Sequence, residues 1–332
     1  MSHVQLLIAP LLLCAMLLAP CFAAWAQQPK KVPRIVQISS VGDANNPGYQ
    51  VEAVRQGLRD LGYVEGKNIR FDHRHIQANR KHIPDLVAEV LQSKPDALVL
   101  DAPSAVRAAK ERTKTVPIVM IVTTDPVSSS LVESLAHPGG NVTGISRLTR
   151  DLSGKRLELL QEVVPSLSRV AILSVSNPTF TASSLNAYET AARTLKLPLE
   201  SVVVDGPKPD LEGAFQNAIG ARASAMVVVS HNVLVPYRRR IAELALKNKL
   251  ASISESGAYP DAGGLMSYAS NDMEAFRRAA LYVDKILKGT KPADLPIEQP
   301  TKFELVLNLS TAKQIGLAIP QSVLFRADRV IR

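Results

Sequence analysis

Six short polar segments stand directly behind apolar, strand-like runs. They are Ser39-Ser40, Asp101-Ala102-Pro103-Ser104, Thr123-Thr124-Asp125-Pro126, Asn177-Pro178-Thr179, Ser230-His231-Asn232 and Ser254-Glu255-Ser256. Hydroxyls, amides, carboxylates and an imidazole in such places give and take hydrogen bonds, which is the chemistry of holding a small polar molecule. In open α/β sheets ligands sit beyond the carboxyl ends of the strands, where helix N-termini offer free backbone N–H groups. Each segment also has a plain structural use. Ser104 and Asp101 can cap the next helix, and Asp125-Pro126 and Asn177-Pro178 can simply turn the chain. His231 can be a surface or partly buried histidine, and Tyr49 and Tyr268 can be core or rim residues. The coincidence of so many polar ends at one kind of position raises the group above each member.

Bond-making chemistry has no comparable signal. The chain has no G-x-S-x-G elbow, no H-E-x-x-H and no G-x-x-x-x-G-K-[ST] loop. His73 and His75 alternate on a strand-like run, but no carboxylate or third histidine at ligand spacing completes a metal site. Behind the first strand the sequence reads Ser39-Ser40-Val41-Gly42-Asp43, which is not a dinucleotide fingerprint. An enzyme built without a motif from Asp101, Asp125, His231 and Glu255 stays open as an alternative. No metal and no cofactor are expected.

The elements that must position these residues alternate strand and helix. Strand-like runs fall at 34–38, 68–72, 97–100 and 117–121, with helical periods over 48–61, 82–92 and 104–113. Apolar strands in βα repetition predict a parallel sheet covered by helices on both faces. After a Gly- and Pro-punctuated break at His137-Pro138-Gly139-Gly140-Asn141 the pattern restarts. Helices are predicted at 154–163, 181–195, 211–221 and 236–247, and strands at 169–173, 199–204, 225–229 and 251–253. Two such sets predict two similar lobes. A strand at 265–268, a helix at 273–287 capped by Asn271 or Asp272 and ended by Gly289, and a strand at 303–307 follow, so that the last pieces return to both lobes as hinge strands.

Bulk properties bound the rest. Residues 1–26 have an apolar run from Leu6 to Leu18 and Ala24-Trp25-Ala26 just before Gln27, the layout of a cleaved secretory segment. A retained N-terminal anchor and a lipidated Cys21 are the alternatives. Both cysteines, Cys14 and Cys21, lie in that segment, so the body after it has no disulfide or thiolate chemistry. The net charge is +9, with basic residues scattered except for Arg238-Arg239-Arg240, which argues against nucleic-acid binding.

Six stretches then carry a family resemblance: RQGLRDLGYVEGKNIRFDHR at 55–74, PGGNVTG at 138–144, GKRLELLQEVVPSLSRVAIL at 154–173, GGLMSYASN at 263–271, RRAALYVDKILKGTKPADLPIEQPTKFELVLNL at 277–309 and FRADRVI at 325–331. The chain resembles the TrpX-type (tryptophan/tyrosine) substrate-binding proteins of ABC transporters. The resemblance implies the type I periplasmic binding fold: an α/β protein of two similar lobes, each a parallel sheet flanked by helices, joined by hinge strands. It implies an N-terminal lobe of 27–144 with a return of about 264–299, and a C-terminal lobe of 145–263 with a return of about 300–332. It implies capture of a small polar solute, such as an amino acid, between the lobes in the periplasm. Delivery to an ABC permease and its ATPase would follow, with the protein itself a monomer. A solute sensor feeding a membrane receptor would share every cleft feature. The resemblance implies that Ser40, Asp101, Ser104, Thr124 and Asp125 line the first lobe's side, that Asn177, Thr179, His231 and Asn232 line the second, and that Tyr268 and Asn271 lie near the hinge return; Tyr49 is a further candidate. Two departures stand out. Asp101-Ala102-Pro103-Ser104 replaces a G-T-P-A type sequence, and Gly257-Ala258-Tyr259 replaces R-E-F. The first adds a carboxylate that disfavours a ligand carboxylate and favours an ammonium group or hydroxyls.

Overall fold

The computed structural model describes residues 31–43, 46–76, 83–147, 150–176, 178–206, 208–231 and 233–332, with the side chains of 178–181 and 183 left aside. The predicted secretory segment lies outside them. Within 33–332, the first sheet contains β1 (Arg34–Ser39), β2 (Arg70–His75), β3 (Ala97–Leu100), β4 (Ile118–Val122) and β5 (Val142–Ser146). They run parallel in the order β2-β1-β3-β4-β5. Its helices are α1 (Gly48–Asp60), α2 (Ile83–Gln92) and α3 (Pro103–Arg112). Side chains alternate across a strand, and here both faces are apolar. Ile35, Val99 and Ile121 pack with Val54 and Leu58 of α1. Val36, Leu98 and Met120 pack with Val87 of α2 and Val106 of α3. A strand apolar on both faces must be covered twice, and this is why the sequence reads as unbroken runs.

The second sheet repeats the scheme. It holds β6 (Val170–Val175), β7 (Leu199–Val204), β8 (Ala225–Val228), β9 (Ala251–Ser254), β10 (Met266–Ser270), β11 (Phe303–Asn308) and β12 (Arg329–Ile331), in the order β12-β11-β10-β9-β8-β6-β7. Helices α4 (Ser153–Val163) and α5 (Pro178–Leu195) cover one face, and α6 (Leu211–Gly220) and α7 (Arg238–Lys247) the other. Among the described strands only β11 runs antiparallel to its neighbour, β10. Short helices α9 (Leu309–Gln314) and α10 (Gln321–Leu324) close the chain; α8 (Asp272–Leu287) belongs elsewhere.

Helix α8 returns to the first sheet, where Phe276, Ala279 and Val283 join the core under β1 and β3. Gly57 of α1 makes the close crossing possible: a Cβ there would stand 2.5 Å from the Arg277 carbonyl and 2.8 Å from the Ala280 Cβ. The return starts at Asp272 rather than near 264, because β10 pairs with β9 and β11 inside the second sheet. The outward crossing follows Ser146, past the His137–Asn141 break. Strand β5 intervenes there, and Gly144 in its middle, at φ +134°, disguises it as more loop. A Cβ at Gly144 would lie 2.1 Å from the Met120 carbonyl, so only glycine lets β5 sit so close to β4. The crossing segments lie side by side: Ser146 N–H donates to Glu298 O (2.9 Å), and Glu298 N–H donates to Gly144 O (3.0 Å).

Candidate ligand-binding cleft

Each sheet has one place where strand order reverses. In the first it lies between β1 and β3, in the second between β6 and β8. At such a switch point the loops leave to opposite sides and open a crevice beyond the strands' carboxyl ends. A cavity of about 730 Å³ lies there, walled by Ser40, Asp101, Ser104 and Thr124 of the first lobe and by Ser230, His231, Val235 and Ser256 of the second. Its volume lies within the ordinary range for small-molecule sites. A smaller, mostly apolar recess of about 20 Å³ adjoins it, walled by Val228, Leu234, Ile241 and Tyr259 and sharing Tyr49, Ser230 and His231 with the main cavity.

The floor on the first lobe is built around Asp101. Its Oδ1 accepts the Ser40 backbone N–H at 2.7 Å, and its Oδ2 accepts the Ser39 hydroxyl at 3.1 Å. Asp101 therefore ties the end of β3 to the end of β1 across the switch point. It does not cap α3, whose N-cap residue is Ala102 with no side-chain bond; Pro103 removes one of the N–H groups a cap would serve. Burial pushes its carboxyl up to about 6, against the lowering pull of the Ser40 and Ser39 hydrogen bonds and of Arg147.

Beside it, three residues from distant parts of the chain meet. Arg147, directly after β5, pairs through Nη1 with Asp272 at the start of α8, and Tyr49 Oη donates to the same carboxylate at 3.3 Å. The pair joins the outward crossing to the return. Burial and the Asp272 charge together push the Tyr49 hydroxyl well above its ordinary range. For Arg147, burial disfavours the cation, but Asp272, Tyr49 and Asp101 outweigh it and hold the value above normal. Arg150 also lines the cavity; burial pulls its value down, opposed by Glu255 and Asp125.

The second lobe's wall stands on a buried polar knot. Glu255, 6% exposed, accepts the Tyr188 hydroxyl at 2.8 Å and, through its other oxygen, the Ser230 backbone N–H at 2.9 Å. Arg156, fully buried, sits 3.4 Å from Glu255 and donates through Nε to the Tyr268 carbonyl at 2.9 Å. Helix α4, helix α5 and strands β8 and β10 are thereby pinned behind Ser230 and His231. Burial, with Glu255 adding to it, drives the Tyr188 hydroxyl far up, so it stays a donor.

Ser40, Tyr49, Asp101, Ser104, Thr124 and His231 are thus brought to one cavity. Other sequence candidates are used elsewhere. Asp125 accepts the Val127 N–H in a turn and is not among the cavity's walls. Tyr268 lies against the Phe303 ring, 6.2 Å between centroids. Asn271 caps α8 by accepting the Glu274 N–H and donates to Glu304. Asn177 and Asn232 lie outside the described residues; Thr179 falls in the first turn of α5, its side chain also outside. Arg147 and Arg150 escaped the sequence reading, and Asp272 figured there only as a possible helix cap. The strand-end rule reaches Arg147 once β5 is recognised as a strand. His73 and His75 stack edge to face at 5.2 Å on β2. Among the described residues no group of three or more His, Cys, Asp or Glu is arranged to hold a metal ion, and no helix is long and apolar enough to cross a membrane.

Comparison with known proteins agrees with this architecture. A tyrosine-binding protein of Clostridioides difficile (strain R20291) is 26% identical over 268 residues, covering 79% of this chain and 75% of that one. A conserved domain protein of Vibrio cholerae superposes with a TM-score of 0.82 at 27% identity, over 90% of this chain and all of that one. The ABC domain of a Streptococcus pneumonia protein, solved in complex with L-Trp, gives 0.80 at 22% identity over 90% and 99%. These share the two-lobed α/β fold. The family model for ABC transporter substrate binding proteins matches residues 39–331, and the chain belongs to that family, one of binding proteins rather than enzymes.

Proposed function

We propose that the protein captures a small zwitterionic solute of the amino-acid type in the interlobe cleft by hinge closure, on the periplasmic side, and hands it to an ABC permease driven by its ATPase. One observation carries this reading: a single cavity has walls from both lobes, and those walls hold both signs of charge, Asp101 against Arg147 and Arg150. A solute touching both walls stabilises the closed form, and one touching a single lobe equally in both forms shifts nothing. The crossings after Ser146, at Ser270–Asn271 and at 299–302 supply the hinge. The tyrosine-binding relative and the L-Trp complex support an aromatic amino acid as the first solute to try. The apolar recess has room for about one water-sized group, too little for an aromatic ring, which leaves the ring in the main cavity.

A thermal-shift and calorimetry screen over L-amino acids, small acids, polyamines and sugars tests the reading. A true ligand at a hundred times its dissociation constant stabilises the folded protein by about 2.7 kcal/mol. A screen in which no solute of any class raises the melting temperature sinks solute capture.

A further inference from the structure

Acids at or near the cleft differ in what neutralises them. Asp272 has Arg147 and the Tyr49 hydroxyl. Glu255 has Arg156, the Tyr188 hydroxyl and the Ser230 N–H. Asp101 has no salt bridge among the described residues, only neutral donors: the Ser40 backbone N–H, the Ser40 hydroxyl and the Ser39 hydroxyl. A carboxylate offers about four acceptor sites, so about one is left, and the residue faces the cavity. Buried charges in folded proteins are paired; one that is unpaired and turned to an open cavity waits for a counter-charge from outside the chain.

We propose that Asp101 is the specificity-determining residue of the cleft and receives the protonated amino group of the solute. The assignment rests on the solute-capture reading above and deepens it. The groups around Asp101 leave this place to the ligand. Arg147 lies close enough to act on it but is committed to Asp272. Tyr49, from α1, gives its proton to Asp272 rather than to Asp101. From β2, His75 meets the Val41 carbonyl, with Asp43 acting on it. Ser104 and Arg107 of α3 line the cavity, and the Arg107 guanidinium donates to the Ser129 carbonyl. His231 and Arg150 line the cavity as well. The solute's ammonium group is drawn to Asp101.

Proton linkage follows. An Asp101 carboxyl titrating near 6 in the empty cleft is about one-tenth ionised at pH 5 and about nine-tenths at pH 7. An ammonium ligand needs the ionised form, so its affinity falls about tenfold from pH 7 to pH 5.

The test is calorimetry at pH 5, 7 and 8 on the wild-type protein and Asp101→Asn. The probes are L-tyrosine, L-tryptophan, L-arginine, tyramine and putrescine, with 3-(4-hydroxyphenyl)propionate and indole-3-propionate as partners lacking the amine, and glucose as a neutral control. We expect at least one amino acid to bind the wild type a hundredfold or more tighter than its amine-free partner. We expect Asp101→Asn to lose most of that ratio together with the pH dependence. Asparagine keeps an acceptor for the Ser40 N–H, and circular dichroism checks that the variant is folded; Asp101→Ser is the second variant. Amine-free acids or glucose binding as tightly as any amine overturns the assignment and leaves solute capture standing. So does a pH-independent wild-type affinity, or an unchanged amine preference in both variants. If no probe of any class binds, both readings fall.

Discussion

Asp101 also makes a prediction about stability that needs no ligand. Its carboxyl is raised from an ordinary 3.8 to about 6 in the folded protein, chiefly by burial. The folded state therefore holds the proton more tightly than the unfolded chain. The stability this contributes is complete below about pH 4 and is lost as the pH rises through about 6. A shift of about two pH units at about 1.4 kcal/mol each makes the loss about 3 kcal/mol. That is a large fraction of the roughly 5–15 kcal/mol that holds a domain together. Asparagine cannot ionise, so Asp101→Asn should gain about 3 kcal/mol relative to wild type between pH 4 and pH 8. Urea unfolding at half-unit pH intervals reads this directly, as a midpoint that moves while the slope with denaturant stays fixed. Stability curves for the two proteins that run parallel from pH 4 to pH 8 refute the reasoning. The same gain must shrink in the presence of a saturating amine ligand, which supplies the missing counter-charge.

Other perturbations test the scaffold. Arg156→Met leaves Glu255 buried without its cation and should cost about 3–5 kcal/mol in urea unfolding, much of it recovered by adding Glu255→Gln. Full additivity of the two changes contradicts the buried knot. Gly144→Ala puts a methyl 2.1 Å from the Met120 carbonyl at a positive φ and should lower the melting temperature sharply or prevent soluble expression; a melting curve indistinguishable from wild type refutes the close approach of β4 and β5. Arg147→Met should weaken ligand binding and shift the balance between open and closed forms seen by small-angle scattering, because it unties the outward crossing from Asp272. An unchanged scattering profile with and without ligand removes the pair from the hinge.

The wound sheets were legible because β3, β4 and β6 are buried on both faces and so carry unbroken apolar runs. Strand β5 was not, since Thr143 and Gly144 break such a run, and with it went the place of the outward crossing and of Arg147. The switch-point rule reached Ser40, Asp101, Thr124 and His231 because it depends only on where strands end. It could not reach the Arg147–Asp272 pair, formed between residues 125 positions apart, which depends on how α8 comes home to α1. Nor could it rank the acids it found. Asp101, Asp125 and Glu255 stand at equivalent strand ends and look alike in the chain. What distinguishes them is the partner that folding brings: a turn N–H for Asp125, a buried guanidinium for Glu255, and for Asp101 neutral donors alone beside an open cavity. Sequence position sets which side chains arrive at the cleft. The charges that folding leaves uncompensated there decide which of them can select a solute, and that selection is a property of tertiary contacts.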